Sequence, residues 1–318
     1  MIGFDIGGTK CAVCIGEVAN GELVIKDKRI IQTDHSISPY EMLDRMCDLA
    51  EEMTDKIDVI GISCGGPLDS KKGIIMSPPN LPGWDDVKVV DYLKKKYNVN
   101  VYIENDANAC AVAEWKYGAG KGSENMVFMT FGTGLGAGLI LDGKLYRGAN
   151  DMAGEAGHIR LNTFGPVGYG KAGSFEGFCS GGGIAQLGKM YAREKLQMGN
   201  IVSFCGSVSE LDSITAKSIA ECAYKGEQDA MEIYETCGKM LGKGLSILID
   251  ILNPERIVLG SIFQRSERLL RTAMQKVLEK ECLGYSLKAC KVVPAELGDN
   301  LGDCAALALA LICYENNK

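Results

Sequence analysis

Apolar and polar residues change period along this chain, and the changes mark its elements. Val101 and Ile103 alternate on one side of a short strand that ends in Glu104-Asn105-Asp106. Residues 107–115 are then alanine-rich and free of breakers, which predicts a helix. Asn105 and Asp106 therefore stand at a strand-to-helix corner, where a side chain projects away from the core. Upstream, residues 58–63 read as a buried strand and 88–97 as a helix. Downstream the pattern is mostly helical from Ile214 to Asn253-Pro254. A strand at 256–259, a helix at 264–279, a strand at 290–293 and an apolar helix at 303–312 follow. Alternating strands and helices predict an α/β protein.

Two stretches repeat one pattern. Phe4-Asp5-Ile6-Gly7-Gly8-Thr9-Lys10 runs into a strand at 11–15, and Met129-Thr130-Phe131-Gly132-Thr133-Gly134-Leu135-Gly136 runs into a strand at 137–141. Each is a strand, a glycine turn and a second strand, so each predicts a β-hairpin with bare backbone at its tip. Successive uncovered N–H groups cradle phosphate oxygens. One such loop can be only a turn. Two of them, framing a carboxylate at a strand end, point to duplicated halves around a nucleotide cleft.

Other polar positions have a plain and a functional reading. Asp106 either caps its helix or acts in a site. Ser77-Pro78-Pro79-Asn80-Leu81-Pro82-Gly83-Trp84 is stiffened by three prolines. It is either a rigid connector or a wall presenting the Asn80 amide to a polar ligand. Gly154-Glu155-Ala156-Gly157-His158 precedes an irregular glycine-rich segment reaching Gly183. Alone, Glu155 and Glu176 fit a solvated surface and His158 a satisfied core position.

Composition narrows the classes. A chain of 318 residues with 46% hydrophobic content supports a large core and two domains. The net charge of −7 is spread, and no Lys/Arg run marks a nucleic-acid footprint. The longest apolar run, 304–313, is short of the ~20 residues a membrane span needs. A strand begins at the first residues, which argues against a signal peptide, so a soluble cytoplasmic protein is expected. The 13 cysteines are odd in number and scattered, as expected of buried thiols in a reducing compartment. Cys11 and Cys14 fit C-x-x-C, but three residues apart on a strand they face opposite ways. The Walker-like run Gly165-Pro166-Val167-Gly168-Tyr169-Gly170-Lys171 ends at Ala172 where a Ser/Thr belongs, and no strand precedes it. Gly168, Gly170 and Gly173 fit a dinucleotide fingerprint, equally outside its strand–turn–helix setting.

Taken in order, these motifs resemble the ROK family of sugar kinases and sugar-responsive repressors, within the actin-like ATPase superfamily. The resemblance covers essentially the whole chain. It implies two duplicated actin-like (ribonuclease H-like) α/β domains with a ligand cleft between them. The smaller would span 1–117 plus a C-terminal helix at 300–318, and the larger 118–299. Asp5, Gly7, Gly8, Thr9 and Lys10 resemble the first phosphate motif, and Thr130, Gly132, Thr133 and Gly134 the second. Asn253-Pro254 through Gly260-Ser261 resembles the approach to the adenosine pocket, with Gly260 at the nucleotide. The sugar site would use Asn80, Asn105, Asp106, Glu155, His158 and Glu176.

By that resemblance Asp106 accepts a proton from a sugar hydroxyl, usually the one on C6, as it attacks the γ-phosphoryl of ATP. A carboxylate at a helix N-terminus is stabilised as an anion, which predicts a weak base. Phosphoryl transfer asks little of its base beyond position. Asp5 would help place Mg²⁺, directly or through water. Glucose is the first substrate expected, with N-acetylmannosamine or another N-acetylhexosamine as the alternative. Repressors of this family carry a DNA-binding domain ahead of the first phosphate motif, where this chain has only Met1 to Phe4. A homo-oligomer is expected, with no nucleic-acid or membrane partner.

One segment departs from the family. Many members hold zinc after the His158 position with that histidine and three cysteines, in a C-x-C-G-x-x-G-C-x-E pattern. Here Val167, Tyr169 and Ser174 replace the thiols, while the glycines and Glu176 remain. No structural zinc is expected, and Tyr169, Phe175 and Phe178 are expected to pack the loop instead.

Overall fold

A computed structural model of the chain describes residues 1–316. Two compact units emerge. The first comprises Met1–Glu124, Gly138–Ala153 and the chain from Glu296 on; the second comprises Asn125–Ala137 and Gly154–Ala295. The boundaries drawn from sequence, 1–117 with 300–318 and 118–299, put the excursion 138–153 with the second body, whereas here it groups with the first.

In the first unit, β1 (Ile2–Ile6), β2 (Lys10–Ala19), β3 (Glu22–Gln32) and β4 (Val59–Cys64) precede a two-stranded piece, β5 (Leu68–Asp69) and β6 (Ile74–Ile75). With β7 (Asn100–Asn105) the main sheet has the order β3-β2-β1-β4-β7. β1, β4 and β7 run parallel, while β2 and β3 form an antiparallel meander from β1. The parallel strands are buried on both faces, hence the continuous apolar run at 59–62. β3 carries Lys26-Asp27-Lys28-Arg29 along an exposed edge, and such charge discourages pairing with another chain.

Helix α1 (Pro39–Met53) was not anticipated from the sequence, although its start is marked. Ser38 and Glu41 form a capping box with Pro39 in the first turn. Met42, Leu43, Met46, Cys47 and Ala50 form its buried stripe. Helices α2 (Val89–Tyr97) and α3 (Asp106–Tyr117) fall close to where the pattern put them.

The C-terminal helix Leu301–Asn316 is buried over Cys304 to Ala310 and packs on β1, β4, β7 and α3. Glycines in the sheet make this approach possible. Gly3 and Gly61 are register partners on β1 and β4. A Cβ on Gly61 would lie 2.0 Å from the Ala306 carbonyl oxygen, and one on Gly3 2.9 Å from Ala306 Cβ.

The second sheet repeats the order of the first. It is built of β8 (Met126–Phe131), β9 (Leu135–Leu141), β10 (Lys144–Tyr146), β13 (Arg256–Leu259) and β14 (Lys291–Pro294), ordered β10-β9-β8-β13-β14. β11 (Val167–Gly168) and β12 (Lys171–Ala172) form a small separate hairpin. β13 runs parallel to both β8 and β14, as β4 does to β1 and β7. Helix Gln228–Leu252 packs on helix Ile262–Glu281, with a Gly238 Cβ position 2.7 Å from the Leu270 carbonyl oxygen. The stretch expected to stay irregular to Gly183 holds a short helix at Phe175–Phe178 and is helical again from Gly181. Ser180 caps that helix by accepting the Gly183 N–H at 2.9 Å.

Cys11 and Cys14 face opposite ways on β2. Cys11 Sγ is 3.4 Å from Thr33 Oγ1, while the Cys14 thiol approaches the Gly3 carbonyl at 3.4 Å and that of Asp303 at 3.6 Å. Among the described residues no helix is long and apolar enough to cross a membrane.

Candidate active site

In the first unit, Asp5 ends near the C-terminal edge of the parallel strands, beside Asp106 at the edge of β7. Burial, then the charges of Asp303 and Asp106, push Asp5 up to about 6, against the opposing pull of Lys28 and Lys10. Asp303 is itself buried at the start of the C-terminal helix and paired with Lys28 Nζ at 2.5 Å.

Asn105 and Asp106 divide the work at the corner. Asn105 Oδ1 accepts the Asn108 N–H at 2.7 Å and caps α3. Asp106 is the first helical residue, its Oδ1 accepting the adjacent Ala107 N–H at 2.8 Å. Although Asp106 reaches solvent, lost hydration on its protein side raises its pKa, and the backbone N–H groups offset part of that rise. The weak base expected from the helix terminus is thus corrected: desolvation outweighs the terminus.

Directly beneath the corner, Glu104 is 1% exposed. Arg147 donates to it through Nε and Nη2, and Asn108 Nδ2 donates at 3.3 Å. Burial raises the Glu104 pKa and the Arg147 guanidinium counters it. The segment carrying Arg147 is tied again where Asp151 accepts from the Ser70 N–H and hydroxyl at 2.8 and 3.0 Å. Glu104 and Arg147 had no role in the sequence reading. Glu104 was legible only as a carboxylate beside the corner, and nothing local marks Arg147 as its partner.

The proline-stiffened loop closes on itself through Leu81 N–H to Pro78 O at 2.9 Å and Ser77 N–H to Trp84 O at 3.0 Å. Leu81 and Trp84 anchor it in the core, which leaves Asn80 exposed. Asn80 lies directly on the first glycine loop: a Cβ on Gly8 would be 2.2 Å from the Asn80 carbonyl oxygen. The Gly65 Cβ position is 3.3 Å from the Asn80 amide. Thr9 and Lys10 are exposed beside them.

The second unit gathers its candidates around Leu135. Thr130 Oγ1 accepts the Gly136 N–H at 2.9 Å and closes the second glycine loop. Glu176 Oε2 accepts the Leu135 N–H at 3.0 Å, and the Gly134 Cβ position is 2.9 Å from that oxygen. Gly157 lies over the Leu135 carbonyl, its Cβ position 2.1 Å from the oxygen and 3.3 Å from Glu176 Cβ. The turn bearing Glu155 and His158 and the helix bearing Glu176 therefore meet on one backbone residue. Phe175, fully buried, fixes that helix against Gly244, whose Cβ position is 2.2 Å from its ring.

Gly260 and Gly132 also come together. The Gly260 N–H donates to Met129 O at 3.0 Å, and Ser261 Oγ lies 3.8 Å from the Gly132 Cβ position. Thr133 is exposed at the loop tip. Ser261 has φ 51° and ψ −104°, a backbone that favours glycine. Its N–H donates to Gln264 Oε1 at 3.1 Å.

The loop where the family resemblance would put zinc is held by hydrogen bonds and apolar packing, and the side chains of Val167, Tyr169 and Ser174 do not fit the metal. Gln186 clasps the Val167 backbone, accepting its N–H and donating to its carbonyl at 2.9 Å each. The buried Ser174 hydroxyl accepts the Gly177 N–H at 3.0 Å and donates to Gly168 O at 3.4 Å. Lys171 Nζ donates to the His158 carbonyl at 2.7 Å. Phe175 and Phe178 are buried as expected, but Tyr169 is 79% exposed. Its packing role is corrected: it makes only an edge contact with the His158 ring, centroids 6.5 Å apart.

Two α/β sheets of the same strand order, each with a glycine hairpin, match the fold of solved ROK-family structures. Residues 1–312 match the ROK family, and the chain belongs to that family. It is 29% identical to a glucokinase of Streptomyces coelicolor, over 97% of this chain and 96% of that protein. A ROK glucokinase from Streptomyces griseus, solved with glucose and AMPPNP, superposes with a TM-score of 0.76 at 29% identity, covering 98% of this chain and 99% of that one. The chain is also 28% identical to a xylose repressor of Caldicellulosiruptor bescii, over 86% of this chain and 67% of the repressor.

Proposed function

We propose that this protein is an ATP-dependent sugar kinase that transfers the γ-phosphoryl group to the 6-hydroxyl of a hexose, with glucose the first candidate. The observation that carries the reading is the contact of Gly8 with Asn80. It sets a phosphate loop against a loop that offers an amide to a sugar, with Asp106 close enough to help raise the pKa of Asp5. The two glucokinase relatives support the same reading.

In this mechanism Asn80, Asn105, Glu155, His158 and Glu176 hydrogen-bond sugar hydroxyls. Glu176 does so with the carboxylate oxygen not engaged by Leu135. Asp106 takes the proton from the sugar O6 as that oxygen attacks the γ-phosphorus and ADP leaves. Its desolvated environment favours proton uptake. Backbone groups of Gly7, Gly8, Thr9, Gly132, Thr133 and Gly134, with Lys10 and Thr130, hold the phosphates, and Gly260 borders the adenosine. Asp5, with the carboxylates of Asp303 and Asp106 close by, would hold Mg²⁺. When bound, that ion neutralises charge on the transferring group.

A sugar-binding regulator is the second reading, favoured by the match to a xylose repressor. An ATP-consumption assay over hexoses and N-acetylhexosamines separates the two. Turnover with glucose supports the first, and turnover confined to an N-acetylhexosamine moves the substrate. Sugar binding with no turnover on any member of the panel favours the regulator.

A further inference from the structure

The first phosphate loop is anchored from one side by three successive carbonyls. Thr33 Oγ1 donates to the Gly7 carbonyl at 2.6 Å. His35 Nε2 contacts the Gly8 carbonyl at 2.9 Å, and the Thr33 N–H donates to the Thr9 carbonyl at 3.0 Å. A carbonyl only accepts, so His35 carries a proton on Nε2. In a trans peptide the C=O and the following N–H point in opposite directions. Holding the Gly7 and Gly8 carbonyls on the Thr33 side therefore turns the N–H groups of Gly8 and Thr9 the other way. Neither N–H donates a backbone hydrogen bond among the described residues. Two successive N–H groups turned the same way form an anion-binding concavity.

We propose that Thr33 and His35 are positioning residues for the phosphate of the nucleotide. They need not touch it; they set the peptide planes whose N–H groups do. The turn that presents His35 is itself fixed, since Asp34 accepts from the Ser36 N–H at 3.0 Å, the Ser36 hydroxyl at 2.6 Å and Arg45 at 3.1 Å. The Asn80 backbone also lies against Gly8, its carbonyl oxygen 2.2 Å from where a Cβ on that residue would stand. The plain alternative is that Thr33 merely ends β3 and His35 is a surface residue. It leaves unexplained why all three carbonyls of one glycine turn are taken by one three-residue segment.

The inference rests on the nucleotide-dependent reading above, and its test is separable from that reading. Binding of AMPPNP with Mg²⁺ is measured by calorimetry for the full chain and for Thr33→Val, Thr33→Ser, His35→Ala and His35→Gln. Losing one such hydrogen bond weakens binding by roughly 3- to 10-fold. That loss is expected in Thr33→Val and His35→Ala, with the glucose dissociation constant unchanged. Thr33→Ser and His35→Gln, which restore a donor, are expected within about twofold of wild type. A wild type that binds AMPPNP while Thr33→Val and His35→Ala bind equally well overturns the positioning role and leaves the kinase reading intact. Conservative variants as weak as the disruptive ones, or variants that fail to fold, show a structural role and overturn it too. If the nucleotide binding follows the expected pattern while no sugar is phosphorylated, the positioning role stands and the kinase reading falls. A wild type that binds no AMPPNP overturns both.

Discussion

Asn105 Oδ1 accepts the Asn108 N–H at 2.7 Å, and this bond determines what its neighbour can do. With the cap supplied by Asn105, the Asp106 carboxylate is not needed to terminate α3. The buried Glu104 completes the support by receiving Asn108 Nδ2 from below, so the corner is held by side chains on either side of Asp106.

Removing the Asp106 charge should therefore separate chemistry from folding. Asp106→Asn is expected to lower kcat by about 10²- to 10⁴-fold. Its stability should change by under about 1 kcal/mol, because no cap is lost. Steady-state kinetics with a melting curve check both, and a near-normal kcat would return Asp106 to a purely local role.

The raised pKa of Asp5 makes stability depend on pH with a definite sign. Its folded value of about 6 lies above the ordinary 3.8. The unfolded chain thus loses this proton first, and the group's contribution to stability declines as pH rises from about 4 to about 6. In Asp5→Asn that decline is absent, so the variant should gain about 2 kcal/mol on wild type between pH 4.5 and pH 7.5. Urea unfolding at the two pH values reads the difference. A constant offset would refute the assignment.

Ser261 is strained at φ 51° and ψ −104°. Ser261→Gly should stabilise the protein by about 1 kcal/mol, measured by chemical denaturation. Loss of stability would mean that the hydroxyl contributes more than the backbone costs.

Gly61→Ala should be among the most disruptive single-methyl changes in the chain, because its Cβ meets the backbone of the C-terminal helix at 2.0 Å. A loss of about 3 kcal/mol is expected. Gly284→Ala is the control, since its Cβ position is open and begins a short helix. It should be neutral or stabilise by up to about 1 kcal/mol. Equal effects at the two sites would contradict the packing described.

The Val167–Ser174 loop should be indifferent to metal removal. Elemental analysis is expected to find no stoichiometric zinc, and chelation should leave the melting temperature unchanged. Gln186→Ala should instead destabilise by about 1–2 kcal/mol, through the two backbone hydrogen bonds it makes to Val167. A tightly held zinc whose removal lowers the melting temperature sharply would contradict this account of the loop.

Period and punctuation along the chain were enough to determine the hairpins at Gly7-Gly8 and Gly132–Gly134, the corner at Asn105-Asp106 and most of the helices. Each depends on neighbours in sequence: a change of period, a turn residue, a run without breakers. The family was legible for the same reason, because its motifs are local and ordered. Tertiary structure alone decided which of two adjacent polar residues caps α3, since both Asn and Asp suit the position. It alone raised the pKa of Asp106, because desolvation depends on chain brought in from elsewhere. The partners of Glu104, Gly8 and Gly61, namely Arg147, Asn80 and Ala306, lie 43, 72 and 245 residues away along the chain. No local pattern encodes such distant pairs, and only the folded chain brings their atoms into contact.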